Sequence, residues 1–471
     1  MKLQLTEGKI GPLLIKLTLP MVWGVFAVIG FNIVDTYFVG QLGTNELAAM
    51  SFTFPVVMVL GSISMGLGTG AASVIARAIG EGDTSPLGDR HKVKRLTTDS
   101  LTLSLLIVGI FIILGLTTID PVFTALGAKA ETLPLIREYM QTWYLGVIFI
   151  VVPMVGNNAI RAAGNTFIPS LIMIVAGVIN AVLDPIFIFG VGKIPAMGLQ
   201  GAALATVIGR ATTLIASLLF LHYRERMISW SFPSFNLLLR NWQSILYIGI
   251  PAAATNMITP ISITFITSLI ASYGVAAVAG FGVASKVESF SVIVPMALSA
   301  SFSPFVGQNW GAKKYDRVYL GLRLGFQFCL LWGVVLAIAL SVGGSLIASI
   351  FDQNPEVIEI AAKYLLIVPI SYGASGMILI SSATFNALGK PLPSVVMTMT
   401  RMLFLYVPLA YLGSWLFGVN GIFAAACFAN LAVGIGAYIW NQKTCSLKMT
   451  AKQERVENIP EVVTSFHRSQ K

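Results

Sequence analysis

Twelve stretches of about 20 mostly apolar residues, centred near residues 27, 60, 108, 146, 178, 208, 256, 292, 330, 370, 404 and 430, dominate this chain. The hydrocarbon core of a bilayer offers no water to hydrogen-bond a free backbone, so a spanning segment must be an α-helix or a strand of a closed barrel. Barrel strands alternate apolar and polar residues over about 10 positions; the runs here are longer and continuous. With 56% hydrophobic and 11% charged residues, no water-soluble domain could hide this much apolar surface. The sequence therefore predicts an all-α polytopic membrane protein with twelve transmembrane helices.

The net charge of +10 is a topology signal, because of where it sits. Lys and Arg occupy the N-terminal segment (Lys2, Lys9, Lys16), the second connection (Arg77, Arg90, Lys92, Lys94, Arg95), the sixth (Arg224, Arg226, Arg240), the eighth (Lys313, Lys314, Arg317, Arg323) and the tail from Lys443, whereas the odd-numbered connections hold only Lys129 and Lys193. The positive-inside rule then predicts an even number of spans with both termini cytoplasmic. No nucleic-acid partner is implied, and attraction to anionic lipid is a secondary consequence. Lys2 and Lys9 before an apolar run superficially resemble a signal peptide, but the run is too long and no small-residue cleavage site follows, so it is read as the first helix.

The chain also repeats itself. An offset of 231 residues carries Pro20 to Pro251, Thr36 to Thr267, Gly43 to Gly274, Met65 to Met296 and Gly80 to Gly311. With a small drift in register, Arg161-Ala-Ala-Gly164 answers Asn386-Ala-Leu-Gly389, Pro185 answers Pro408, and Gly198-x-x-Gly201 answers Gly418-x-x-Gly421. Six spans per copy is an even number, so both copies enter the membrane in the same sense and their pseudo-two-fold axis lies along the membrane normal. The expected organisation is an N-terminal six-helix lobe over 1–221, a cytoplasmic linker over 222–241, a C-terminal lobe over 242–440 and a poorly ordered polar tail over 441–471.

Within this repeat the acids are unequal: Asp35 meets Ile266 and Asp184 meets Val407. A charged carboxylate near the bilayer centre costs several kcal/mol unless it faces protein or water. Asp35 in the first helix follows Asn32 by one turn. Asp184 in the fifth follows Asn180 by four residues, which places amide and carboxylate on one helical face. Thr206, in the sixth helix, adds a hydroxyl. Oxygen ligands of this kind suit a proton or a hard cation such as sodium at Asp35 and Asp184. The competing reading sets both acids near helix ends in headgroup water, since Gly43 follows Asp35 closely and Pro185 follows Asp184. Pro20 frees the carbonyl of Lys16 and invites a kink, either as a static bend or as a movable hinge.

Arg210, Lys286, Glu288 and Arg401 also lie within spans. Lys286 and Glu288, two residues apart, do not face each other on a helix, and pairing across helices is favoured over substrate contact. Asn157 and Asn158, ahead of Arg161, are candidate cavity lining or a helix cap. Cys329, Cys427 and Cys445 have no metal or redox spacing. There is no nucleotide-binding loop, no zinc-protease motif and no Ser/His/Asp set, so the sequence predicts neither an enzyme nor a cofactor, and uphill movement of a solute would draw on an ion gradient.

Taken together, the two tandem halves, Pro20 with Asp35, Asn180-x-x-x-Asp184, the Gly198-x-x-Gly-Ala-Ala-x-Ala-Thr206 run and the paired Gly80 and Gly311 resemble the multidrug and toxic compound extrusion (MATE) family over residues 8 to 440. The pattern is most similar to its bacterial DinF-type branch; the other large branch carries an acid in the seventh helix, where this chain has Ala254, Thr255, Asn256 and Met257. The resemblance implies a multi-pass protein of the bacterial inner membrane, a monomer among membrane lipids. It would export small-molecule drugs, often cationic and amphipathic, in exchange for inward protons or sodium by alternating access. It further implies that Asp35 binds the proton, with Asn180 and Asp184 as its partners and Pro20 as hinge; Asn32, Asn157, Asn158 and Arg210 are, from the residues themselves, candidates for substrate contact or cavity lining. A flippase for a lipid-linked precursor shares a related scaffold and would need a basic cavity for pyrophosphate. A facilitator without ion coupling would have no purpose for acids confined to one half.

Overall fold

A computed structural model describes residues 4–42, 44–82, 90–231 and 233–457, with side chains left aside at 44–49 and 447–457. Gly43 and the final residues of the tail lie outside the described residues. The spans run in chain order as α1 (Ile10–Gly40), α2 (Thr44–Gly82), α3 (Arg90–Ala125), α4 (Leu133–Ala162), α5 (Phe167–Phe189), α6 (Gly198–Arg224), α7 (Phe235–Ala271), α8 (Val275–Gly311), α9 (Tyr315–Phe351), α10 (Pro355–Ala387), α11 (Leu392–Phe417) and α12 (Val419–Glu457). Among the described residues, eleven are long and apolar enough to cross a membrane as they stand. The twelfth, α8, is two helices, Val275–Ser291 and Ile293–Gly311, bent by 42°. All twelve apolar runs of the sequence are accounted for.

The ends of these helices follow the repeat. Gly164 after α4 and Gly389 after α10 both take the left-handed conformation, at φ +88° and +74°, where a side chain would be strained. The chain boundaries differ in detail from the sequence reading. Helix α6 runs on to Arg224 and α7 starts at Phe235, which shortens the irregular linker, and α12 continues as helix to Glu457 past the expected tail boundary at 440.

Each copy's first helix begins its course in the other copy's core. Leu13, Leu14 and Leu17 of α1 pack with Phe302, Phe305 and Phe385 of the C-terminal half, while Ile245 and Ile248 of α7 pack with Leu67, Ala71 and Ile75 of the N-terminal half. Pro20 and Pro251 each stand three residues beyond the last of these contacts, where the helix passes back toward its own bundle. A proline at this point removes one helical hydrogen bond and makes the helix easier to bend there, although both helices run unbroken through it.

The halves are joined tightly at one end, called here the basic face because it carries Lys314 and Arg317. In a bilayer, helix association depends on close packing and on small residues rather than on a hydrophobic driving force. A Cβ on Gly80 would collide with the carbonyl of Gln308, and one on Gly311 with the carbonyl of Arg77. Offset by 231, these are the same contact made twice. Side chains reinforce it: Gln308 donates to the carbonyl of Ala162 at 2.7 Å, and the Ser73 hydroxyl donates to that of Asn386 at 2.5 Å. The N-terminal segment is strapped across the same face, where Arg317 donates to the carbonyls of Gly8 and Glu7 at 2.8 and 3.0 Å and Asn309 to that of Leu5 at 3.0 Å. Asp99, fully buried, accepts from Arg95 at 3.0 Å and from Asn241 at 2.7 Å, and so fixes the start of α7 against α3.

Candidate ion-coupling site

Asp184 and Asn180 lie on the buried stripe of α5, 0% and 3% exposed. Helix α6 can approach them because Gly209 faces the backbone of Ala176 and the side chain of Asn180. The Asn180 amide donates to Asp184 Oδ1 and to the Thr206 hydroxyl, both at 3.3 Å. With the amide turned end for end, its nitrogen donates to Asp184 Oδ2 and its oxygen accepts from the Thr206 backbone N–H, both at 3.2 Å. In either orientation one amide ties the carboxylate of α5 to Thr206 of α6.

Asp35 projects from α1, half-buried, and acts electrostatically on Asp184. Helix α1 reaches α5 through Gly24, whose missing side chain makes room for Ser170, and the Ser170 hydroxyl lies 3.3 Å from the Met21 sulfur. Among the described residues neither carboxylate has a cation within ion-pair distance, and Asp35 has no hydrogen-bond partner. Arg210, one turn beyond Thr206, holds its guanidinium 5.5 Å above the Phe31 ring of α1 instead.

A fifth group escaped the sequence reading. Tyr139 is buried in α4 and lies within electrostatic range of both Asp35 and Asp184. Its helix buries Ile136, Tyr139, Met140, Trp143 and Tyr144, an ordinary core stripe, and nothing in the spacing separates this tyrosine from its packing neighbours. The signal available was a phenol in a span that must face two acids.

The other expected residues fall elsewhere. Asn32 is exposed on α1, and its carbonyl accepts from Thr36 at 2.8 Å. Asn158 donates to the Met154 carbonyl at 2.8 Å in its own helix and sits against Gly68, while Asn157 is buried with its side-chain oxygen unpartnered. Both lie within the last two turns of α4, on the side of the basic face. Pro20 stands in the unbroken helix α1.

The charge asymmetry between the halves is less complete than the repeat suggests. The C-terminal half has a buried polar cluster of its own, in which Glu288 of α8 accepts a hydrogen bond from the Tyr364 hydroxyl of α10 and lies within electrostatic range of Arg401. Glu288 answers neither Asp35 nor Asp184 in the repeat, which is why superposing the copies does not reveal it.

Two related six-helix bundles, closed on each other at one face and carrying in one of them a pair of acids, one buried and one half-buried, define a polytopic membrane transporter. The MatE family model matches residues 20–186 and 251–412, one stretch in each half, and the chain belongs to this family. It is 37% identical over 441 residues to a protein named FAD transporter from Shewanella oneidensis, covering 94% of this chain and 96% of that one. It is 26% identical to the probable multidrug resistance protein YoeA of Bacillus subtilis, over 85% of this chain and 88% of that one. Among solved structures, the Vibrio cholerae MATE transporter VcmN in the bent form matches with a TM-score of 0.86 at 30% identity, over 93% of this chain and 98% of that one.

Proposed function

We propose that this chain exports amphipathic, often cationic compounds by alternating access in exchange for an inward cation, a proton or sodium, bound at Asp35 and Asp184. The observation that carries this reading is the acid pair itself. Two carboxylates lie within electrostatic range of each other, one fully buried and one half-buried, with an amide, a threonine and a tyrosine as neighbours and no cation within ion-pair distance among the described residues. Two uncompensated negative charges in a low-dielectric site repel each other strongly, and taking up a cation relieves that repulsion. A solute that leaves as the cation arrives makes this exchange a transport cycle. The proton or sodium is the coupling ion, and no resident metal or cofactor enters the scheme. Both termini are assigned to the cytoplasm and the protein to the inner membrane, in keeping with the basic face.

A second reading of the cargo is favoured by similarity. The FAD transporter is the relative with 37% identity, against 26% for the probable multidrug resistance protein. A flavin dinucleotide pairs a flat apolar ring with a pyrophosphate, so it is amphipathic yet anionic. Proteoliposomes loaded with ethidium, riboflavin or FAD and subjected to separate proton and sodium gradients test both readings. Gradient-driven efflux of ethidium supports drug export, and efflux of FAD exceeding that of riboflavin supports dinucleotide export. Efflux of neither under either gradient refutes the exporter.

A further inference from the structure

The polar cluster of the C-terminal half has no place in the cation cycle, and its composition is unusual for lipid-embedded protein. Arg401 lies on a π-helical stretch of α11, Thr400–Tyr406, a local distortion frequent at functional sites. Its Nε is buried without a hydrogen-bond partner, and so is the hydroxyl of Tyr372, a residue only 4% exposed. Among the described residues Arg401 forms no ion pair. Glu288 acts on it electrostatically but accepts its hydrogen bond from Tyr364, and Tyr372 and Tyr406, which share one buried core with Tyr364 and Met402, lie within electrostatic range of that carboxylate. Lys286 is on the opposite face of α8, one turn before Phe290, whose ring lies 6.2 Å from Phe26 of α1, so it stands apart from this cluster.

An unpaired buried donor is costly to keep, and ionisable groups inside spans mark substrate paths by default. A guanidinium presents a planar fork that matches phosphate oxygens two at a time, and a phenol donates one more bond. We propose that Arg401 and Tyr372 form an anion site in the C-terminal half that takes the phosphate or pyrophosphate group of an amphipathic cargo. Glu288 acts as the neighbouring charge that limits its affinity. As far as the cargo is concerned, this inference rests on the dinucleotide reading above. The same chemistry occurs in a lipid-linked pyrophosphate, the headgroup that a flippase on this scaffold would carry.

The test uses the full-length protein in nanodiscs, dialysed to equilibrium against radiolabelled inorganic pyrophosphate. The wild type is expected to bind. Arg401→Gln should weaken binding about tenfold or more and Tyr372→Phe about threefold, by loss of one hydrogen bond. Glu288→Gln should tighten it, a gain that a purely structural role for the cluster does not produce. Should Arg401→Gln fail to fold, Tyr372→Phe and Glu288→Gln decide. Absence of pyrophosphate binding to the wild type, or binding unchanged in Tyr372→Phe and Glu288→Gln, overturns the site. Competition by FAD but not by riboflavin identifies a soluble dinucleotide as the source of the phosphate group. Competition by farnesyl pyrophosphate alone identifies a lipid headgroup, which refutes the flavin reading while the site stands.

Discussion

Asp184 is held by one amide. Replacing Asn180 with alanine leaves the buried carboxylate without its hydrogen bond, a loss of about 1–3 kcal/mol that falls on the charged form more heavily than on the neutral one. Asn180→Ala is therefore expected to slow gradient-driven efflux by more than tenfold, about 1.4 kcal/mol, while leaving the amount of folded protein within a factor of two to three. Efflux assays in proteoliposomes, normalised to protein recovered by gel filtration, check this. The pairing of Asn180 with Asp184 was legible in the sequence because four residues make one turn of helix. Thr206 was legible only as a hydroxyl in a span. Tyr139 was not legible, because an aromatic on a buried stripe looks the same whether its ring faces leucine or its hydroxyl faces acids. Asp99 was missed for the opposite reason: next to Arg95 at the start of α3 it reads as a solvated surface charge, and its burial comes from Asn241 and Trp242, which lie far away in sequence.

At the scale of the helix, the notable element is α1. It starts in the C-terminal core with Leu14 and Leu17 and, past Pro20, runs unbroken along α5, with Asp35 within electrostatic range of Asp184. A change of charge at Asp35 therefore acts on a helix anchored in both bundles, with its weakest backbone bonding at the proline. Pro20→Ala restores that hydrogen bond and stiffens the helix. We expect efflux to fall several-fold with the binding of cargo little changed, whereas Pro251→Ala, in the half that lacks the acid pair, should have the smaller effect. Equal effects of the two would make both prolines static bends. The proline pair could be read from the repeat. The exchange of first helices between cores could not, because an apolar run states that a helix is buried in something apolar and leaves the partner unspecified.

The whole molecule is a doubled scaffold whose halves meet through matched glycines. Gly80 and Gly311 admit the carbonyls of Gln308 and Arg77, and Gly80→Val should push the halves apart at the basic face. Overpacking of this kind costs about 1–3 kcal/mol, so the variant should show a lowered melting temperature and faster labelling of an introduced cysteine near Ala162. Unchanged labelling would mean that the contact does not close that face. The number of spans, the repeat and the axis relating the halves were all present in the sequence, since lipid restricts the chain to helices and glycine and proline mark their ends. Glu288 with Tyr364 and Arg401 was not foreseen as a cluster, because three helices contribute one residue each at unrelated repeat positions. If the proposed exchange holds, cargo and cation exclude each other through the acid pair. Cargo-driven cation release measures this directly: ethidium or FAD is added to the purified protein in weak buffer, and the protons set free, or the sodium displaced, are counted. Release by the wild type and little or none by Asp35→Asn is expected; release by Asp35→Asn equal to that of the wild type would mean that cargo and cation do not exclude each other at this pair.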